Sequence, residues 1–460
     1  MAERLKSKCA TCQGMRFASS RVSSHLLSVC ITVSAPVAQK VKKHIVSIYG
    51  SHSKTPGLDQ KNLPENYIIT RYHESIEKHI HNFILKFLVL DYLEHELSAR
   101  KISVAHKPRI ENITTQNNGS VTFKFRISTI TNLKSDGWKK LSFTPPRRKL
   151  YKDLDRQAKT FLTQEAEKKI PTKEEWEVQG EDWVAFQLEL IGKSKKPVLK
   201  GHKNVFWMRT STKYLVCPFQ NMFLGKKVGD SFLISKIPLE GFPEDVVSTK
   251  GNFLVTLQSI VKGGHFSIGL FRSTFRLHNE KDTHEKLIEI FSYRNDISQR
   301  RSIIEEVFRI TLSKFRFEIP RHLILRRQEG LLHSVRKLPD YHVYKADSRF
   351  TKQLELLAEK QLKEEILIDR IAHDENIFAE TDDICEYLNL FIHERLREFI
   401  YFRPERDNLN ESTSPIRNGF LAKTVRREKV LNYVIHSLSR KCRTTAHHRQ
   451  NSKSSTNSPS

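Results

Sequence analysis

From Pro64 to Ala99 the apolar residues recur at intervals of three and four: Ile68, Ile69, Tyr72, Ile76, Ile80, Phe83, Ile84, Phe87 and Leu88. That spacing puts them on one stripe of a long helix. Pro64 opens it at the first turn, where a missing N–H costs nothing. Arg109–Ile113 and Val121–Ile127 follow, joined by Asn117-Asn118-Gly119. Val121, Phe123, Phe125 and Ile127 alternate with polar residues, and Asn-Gly favours a hairpin turn. Upstream, Leu27–Val33 reads as a strand and Val37–Ile48 as a basic amphipathic helix. Residues 27–135 are therefore expected to form an α+β block, a long helix packed on a small antiparallel sheet.

Three further blocks follow along the 460 residues. Residues 136–176 read as a linker and a helix: Pro145-Pro146 with Arg147, Arg148 and Lys149 make a stiff basic spacer, Leu150–Ala166 is helical, and Pro171 stops it. Residues 177–264 are mostly strand, with Val184, Phe186, Leu188 and Leu190 alternating and Gly and Pro at the turns. Residues 275–440 are nearly all helix, punctuated by Pro320 and Pro339, with Asp382 beside Thr381 offering an N-terminal cap. The two ends, residues 1–26 and 441–460, are basic and rich in serine, and they are expected to be disordered.

Composition narrows the function classes. The most apolar window, Phe83–Leu93, contains Lys86 and Asp91, so it reads as a core-facing helix and not a membrane span. Lys and Arg number 78 against 52 Asp and Glu, a formal charge of +26, which favours polyanionic neighbours such as RNA. Six scattered cysteines suit a reducing cytoplasm. Cys9 and Cys12 form a lone CxxC, read as two unpaired thiols, and no metal or cofactor is expected. No nucleophile elbow, Walker loop or H-E-x-x-H is present.

The order of blocks, and several short motifs within it, resembles trigger factor, the bacterial nascent-chain chaperone. Pro56-Gly57 and Pro64 frame a loop similar to the family's P-G-F-R-x-G-K-x-P. Asn118-Gly119-Ser120-Val121 looks like its hairpin, Phe317-Glu318-Ile319-Pro320 like its F-x-[IL]-P element, and Arg427-Glu428-Lys429-Val430-Leu431 like its closing R-x-K-V-L. The resemblance implies an elongated, multidomain α+β protein: an N-terminal ribosome-binding-like domain, a small β-rich FKBP-like domain and an all-helical C-terminal chaperone domain. Its implied partners are the ribosome near the exit tunnel and nascent or unfolded polypeptides, with no membrane, in a monomer or weak dimer in the cytoplasm.

Three candidate sites follow. The ribosome-binding loop is Gly57, Leu58, Asp59, Gln60, Lys61, Asn62 and Pro64; Leu58, Asp59 and Asn62 replace the family's Phe, Arg and Lys, and Asp59 reverses a charge facing phosphate. A prolyl isomerase works by burying a twisted amide in an aromatic pocket, without acid, base or nucleophile. Phe186, Phe206, Trp207, Phe219 and Phe253 are the candidate walls, with the ordinary core of a small β domain as the competing reading. Client-binding candidates are Phe378, Leu390, Phe391, Phe399, Tyr401 and Phe402, against a reading as helix-bundle core. Two other functions stand beside the chaperone: a basic RNA- or DNA-binding protein, and a prolyl isomerase first of all.

Overall fold

The computed structural model describes residues 14–52, 64–105, 107–130, 137–144, 153–167, 176–192, 196–199, 201–210, 218–240, 246–295, 297–315, 317–404 and 415–454. The chain divides into two compact units. The first takes Met1–Thr129, Pro171–Gly264 and Asn408–Phe420; the second takes Ile130–Ile170, His265–Asp407 and Leu421–Ser460. The first and third blocks of the sequence thus fold as one body.

Unit one holds two antiparallel sheets. Strands β1 (Met15–Ser23), β2 (Leu26–Val33), β3 (Arg109–Thr115) and β4 (Val121–Ser128) are ordered β1-β2-β4-β3. Val29 pairs with Phe125, Ile31 with Phe123 and Val33 with Val121, so the two alternating patterns share one buried face. Helix α1 (Ala35–His52) buries Ala38, Val41 and Ile45 in the same core. At the β3–β4 turn Gly119 has φ +80°, and the Ser120 N–H donates to Asn118 Oδ1 at 2.9 Å, as the Asn-Gly pair predicts. Strand β1 corrects the expected leader of residues 1–26. It lacks alternation because it is an edge strand, polar on most of its length, and its register along β2 supplies the order that its own side chains do not.

The stripe from Glu65 to Ala99 is helical throughout but is not one ideal helix. It runs as α2 (Glu65–Arg71), α3 (His73–Ile84), a π turn (Leu85–Val89) and α4 (Leu90–Ala99). The backbone turns at Tyr72, at φ −112° and ψ 21°. All five residues of the π turn are buried, Lys86 included.

The second sheet, ordered β7-β8-β5-β6-β9, consists of β5 (Trp183–Leu190), β6 (Asn204–Arg209), β7 (Ser231–Glu240), β8 (Val246–Val261) and β9 (Ile416–Arg417). A short helix α6 (Pro218–Asn221) precedes the turn at Gly225. Asp182, 2% exposed, ties the start of β5 to the end of β8: it pairs with Lys262 at 2.7 Å and accepts from the Gly263 N–H at 2.9 Å. Strand β9 comes from a segment that the sequence assigns to the helical fourth block. Two residues are too short to carry a strand pattern, and pairing with β6 makes them one.

Unit two is helical: α5 (Leu154–Glu167), α7 (Ile268–Phe275), α8 (Glu280–Asn295), α9 (Ile297–Lys314), α10 (Arg321–Arg336), α11 (Tyr341–Ala346), α12 (Phe350–Asp374), α13 (Thr381–Ile392), α14 (Glu394–Arg397) and α15, which starts at Asn418 in unit one and reaches Ser454. Pro320 is the residue before α10, as its ring geometry predicts. The cap of α13 is Glu380, which forms a capping box with Asp383; Asp382 lies inside the first turn. The tail expected to be disordered from residue 441 is helical to Ser454. The segment has neither Pro nor Gly to stop it, and a helix already formed extends at low cost. No helix among the described residues is long and apolar enough to cross a membrane.

Candidate functional site

The loop residues Gly57, Leu58, Asp59, Gln60, Lys61 and Asn62 lie outside the described residues, as do Cys9 and Cys12; Pro64 is exposed at the start of α2. The base from which the loop departs is well defined. Gly50 in α1 packs so close to Ile68 that a Cβ there would lie 3.1 Å from the Ile68 Cδ1. Tyr49 and Tyr72 rings lie 5.8 Å apart, and Arg71 sits over both Tyr67 and Tyr72 at 5.8 Å. Lys40, Lys42 and Lys43 are exposed on α1.

The five expected pocket walls do not line an open pocket. Phe186, Phe206, Trp207 and Phe253 are at most 1% exposed and Phe219 5%. Phe206 and Trp207 are neighbours on β6, so they point to opposite faces of the sheet. Trp207 Nε1 donates to Asn418 Oδ1 at 2.9 Å and has no part in the Phe186 cluster. On the other face, Phe186 stacks with Phe206 at 6.0 Å and meets Phe219 at 5.7 Å and Phe223 at 4.9 Å. Phe253 belongs to a separate stack, with Phe87 at 5.3 Å and Phe83 at 6.3 Å. Alternation found the strand aromatics, but it could not show that a helix from another block covers Phe253.

The helices of unit two separate the client-binding candidates. Phe378 is 54% exposed, whereas Leu390, Phe391, Phe399 and Phe402 are buried at 8% or less. Tyr401 is partly buried and donates its hydroxyl to Glu364 Oε2 at 2.7 Å. The run Phe399–Phe402 is apolar on all sides because it is irregular backbone in a core, not a helix face: the Tyr401 and Phe402 N–H groups donate to Glu428 Oε2 at 3.1 and 2.9 Å. Besides Phe378, the large exposed apolar side chains of this unit lie elsewhere. Leu325, Leu338, Val343, Tyr344, Leu356 and Leu357, on α10, α11, α12 and the turn between, are 42–62% exposed, and α11 buries no residue. Sequence reasoning missed these as surface because apolar residues at helical spacing, Leu357 among them, read as core.

Residues 281–435 match the family model described as the bacterial trigger factor protein C-terminus. Over these residues the chain is similar to the trigger factor C-terminus. No curated protein matches. Among solved structures, a chain from work titled "Promiscuous Substrate Recognition in Folding and Assembly Activities of the Trigger Factor Chaperone" is similar at 14% identity and a TM-score of 0.36, covering 92% of this chain and all of that one. A likeness that loose does not by itself fix a fold.

Within residues 281–435, buried charge holds the helices together. Glu428 on α15, 6% exposed, also pairs with Arg300 of α9 at 3.1 Å, and the Arg300 guanidinium lies 3.6 Å from the centre of the Phe399 ring. Burial pushes the Glu428 carboxyl up, while Arg300 and the two backbone N–H groups pull it back. Asp369 of α12, 2% exposed, accepts from Arg427 at 2.7 and 3.1 Å and from Arg426 at 3.3 Å. Burial next to Arg426 lowers His373 to about 4, so it is neutral at pH 7. These groups are partnered within the core, and none is placed to act on a ligand.

Proposed function

We propose that the protein is a trigger-factor-like chaperone that binds nascent or unfolded polypeptides. The observation that carries this reading is the set of exposed apolar side chains on α10–α12 of the trigger factor C-terminal region. Apolar surface kept in water by a protein with a full core is surface for another chain. Leu338, Val343, Tyr344, Leu356 and Leu357 are its contact residues in this reading, in place of Leu390, Phe391, Phe399, Tyr401 and Phe402. Replacing Leu338, Val343, Tyr344 and Leu356 together by serine is expected to reduce suppression of aggregation of a chemically unfolded client severalfold. The midpoint of thermal unfolding should stay nearly unchanged, since exposed positions carry little stability. Unchanged suppression would overturn the assignment.

Docking to the ribosome is the second part of the proposal. It is supported by the net charge of +26 and by the exposed Lys40, Lys42 and Lys43 on the helix that leads into the loop. With an acid, Asp59, in the loop sequence where a cation is expected, attraction comes from dispersed lysines, so cosedimentation with ribosomes should be strong at low salt and fall steeply as salt rises. Binding that survives high salt would reject the diffuse mode, and no binding at low salt would reject docking.

A further inference from the structure

We propose that the stretch Arg336–Lys352 selects clients by charge: it takes unfolded segments whose apolar side chains are flanked by aspartate or glutamate, in preference to neutral or basic segments. The inference rests on the reading that this region binds unfolded polypeptides, and it adds which of them are taken. Every residue from Arg336 to Arg349 is exposed except Tyr341, which is half-buried. Helix α11, six residues long, buries none of its side chains. A helix that short is not stable by itself, and one without a buried face gains little from the core behind it. The Tyr341 ring, 6.4 Å from that of Phe350 at the start of α12, ties it down. Leu338, Val343 and Tyr344 therefore stand in water close together, and Leu356 and Leu357 follow on α12.

The charge around this apolar surface is one-sided. Arg336, Lys337, Lys345, Arg349 and Lys352 stand against Asp340 and Asp347. Asp347 is committed to the backbone, where its Oδ1 accepts from the Arg349 N–H at 2.8 Å. Arg336, Lys345, Arg349 and Lys352 make no ion pair among the described residues. Farther along α12 the cations are paired: Lys360 meets Glu305 at 3.1 Å and Lys363 meets Glu359 at 2.6 Å. The surplus is thus concentrated beside the exposed apolar side chains.

Cations without partners beside apolar surface complement a segment that presents apolar side chains next to carboxylates, and they repel one that presents lysine or arginine. The chemistry fits a polypeptide better than RNA. Single-stranded nucleic acid is held by stacking its bases on aromatic side chains. Of the five exposed apolar side chains here, Leu338, Val343, Leu356 and Leu357 are aliphatic and Tyr344 alone is aromatic.

Three fluorescent peptides test this on the full-length protein at low salt. They share one apolar core of leucine, valine and phenylalanine, flanked on both sides by glutamate, by glutamine or by lysine. The glutamate peptide should bind at least about tenfold more tightly than the lysine peptide, with the glutamine peptide between them, and the gap should narrow as salt rises. In the Arg336→Glu/Lys345→Glu/Arg349→Glu/Lys352→Glu variant the order should reverse. These side chains are exposed, so its thermal midpoint should stay close to that of the native protein. Equal affinities of the native protein for the three peptides overturn selection by charge and leave the client-binding reading standing, whereas no binding of any peptide overturns both. An unchanged order in the variant would trace the preference to the general charge of +26 and overturn the assignment to this stretch. Single-stranded RNA that displaces the glutamate peptide, and binds equally well when Leu338, Val343, Tyr344 and Leu356 are replaced by serine, would make this a nucleic-acid surface and overturn it too.

Discussion

Replacing Asp369 with alanine is expected to destabilise the helical unit by about 3–5 kcal/mol, the usual cost of removing one partner from a buried charge cluster. The carboxylate is 2% exposed and is the shared acceptor of Arg426 and Arg427. Alanine would leave Arg426 without its carboxylate and Arg427 with Glu365 alone, at 2.9 Å, in a largely buried site. Burial alone would raise the Asp369 carboxyl, but Arg427, Lys423 and Arg426 together hold it well below the usual carboxylate range. Its contribution is therefore fully present above the unfolded carboxylate pKa and is lost as pH falls below it. Urea unfolding followed by circular dichroism measures the effect. A loss under about 1 kcal/mol would mean that the arginines are solvated after all. Asp369→Asn, which keeps the shape and one acceptor, should fall between alanine and the native protein.

Glu364→Gln should act in the opposite direction, with a gain that grows as pH rises above about 4.5 and levels off above about 7. Glu364 on α12 is 2% exposed, and its Oε1 has no hydrogen-bond partner among the described residues. Burial raises its pKa from 4.5 to about 7, against the opposing hydrogen bond from Tyr401. A shift of that size corresponds to about 3 kcal/mol of differential stability. Because the folded pKa is the higher one, the stabilising contribution is fully present below the unfolded pKa of 4.5 and is lost as pH rises through about 7. Glutamine cannot ionise and still accepts from Tyr401. The variant should match the native protein near pH 4 and exceed it by up to about 3 kcal/mol at pH 8. A constant difference across that range would show that Glu364 is solvated when charged.

The fold was legible where one element's period reports one environment. Val121, Phe123, Phe125 and Ile127 gave β4, Ile76, Ile80 and Phe83 gave a core-facing helix, and Pro320 marked the start of α10. Legibility failed for β1 and β9, which are strands through their neighbours' hydrogen bonds and not through their own residues. It failed at the sites for a related reason. Hydrophobicity marks Phe399 and Phe402 as strongly as Leu356, yet the first two are core and the last is 58% exposed. Whether an apolar residue faces a partner or water depends on which helix lies over it.

The sequence by itself determined the helical stripe after Pro64, the two sets of strands, the helical character of the last third and the likeness of that third to the trigger factor C-terminus, because these rest on local periodicity and on short motifs in order. Tertiary structure alone decided that the first and third blocks share one core, that Phe83 and Phe87 pack beside Phe253, and that the apolar side chains left in water include Leu338, Val343, Tyr344, Leu356 and Leu357. The physical reason is that burial is a property of pairs of elements distant in sequence. Residues 83 and 253, or 417 and 91, meet only when the whole chain is folded.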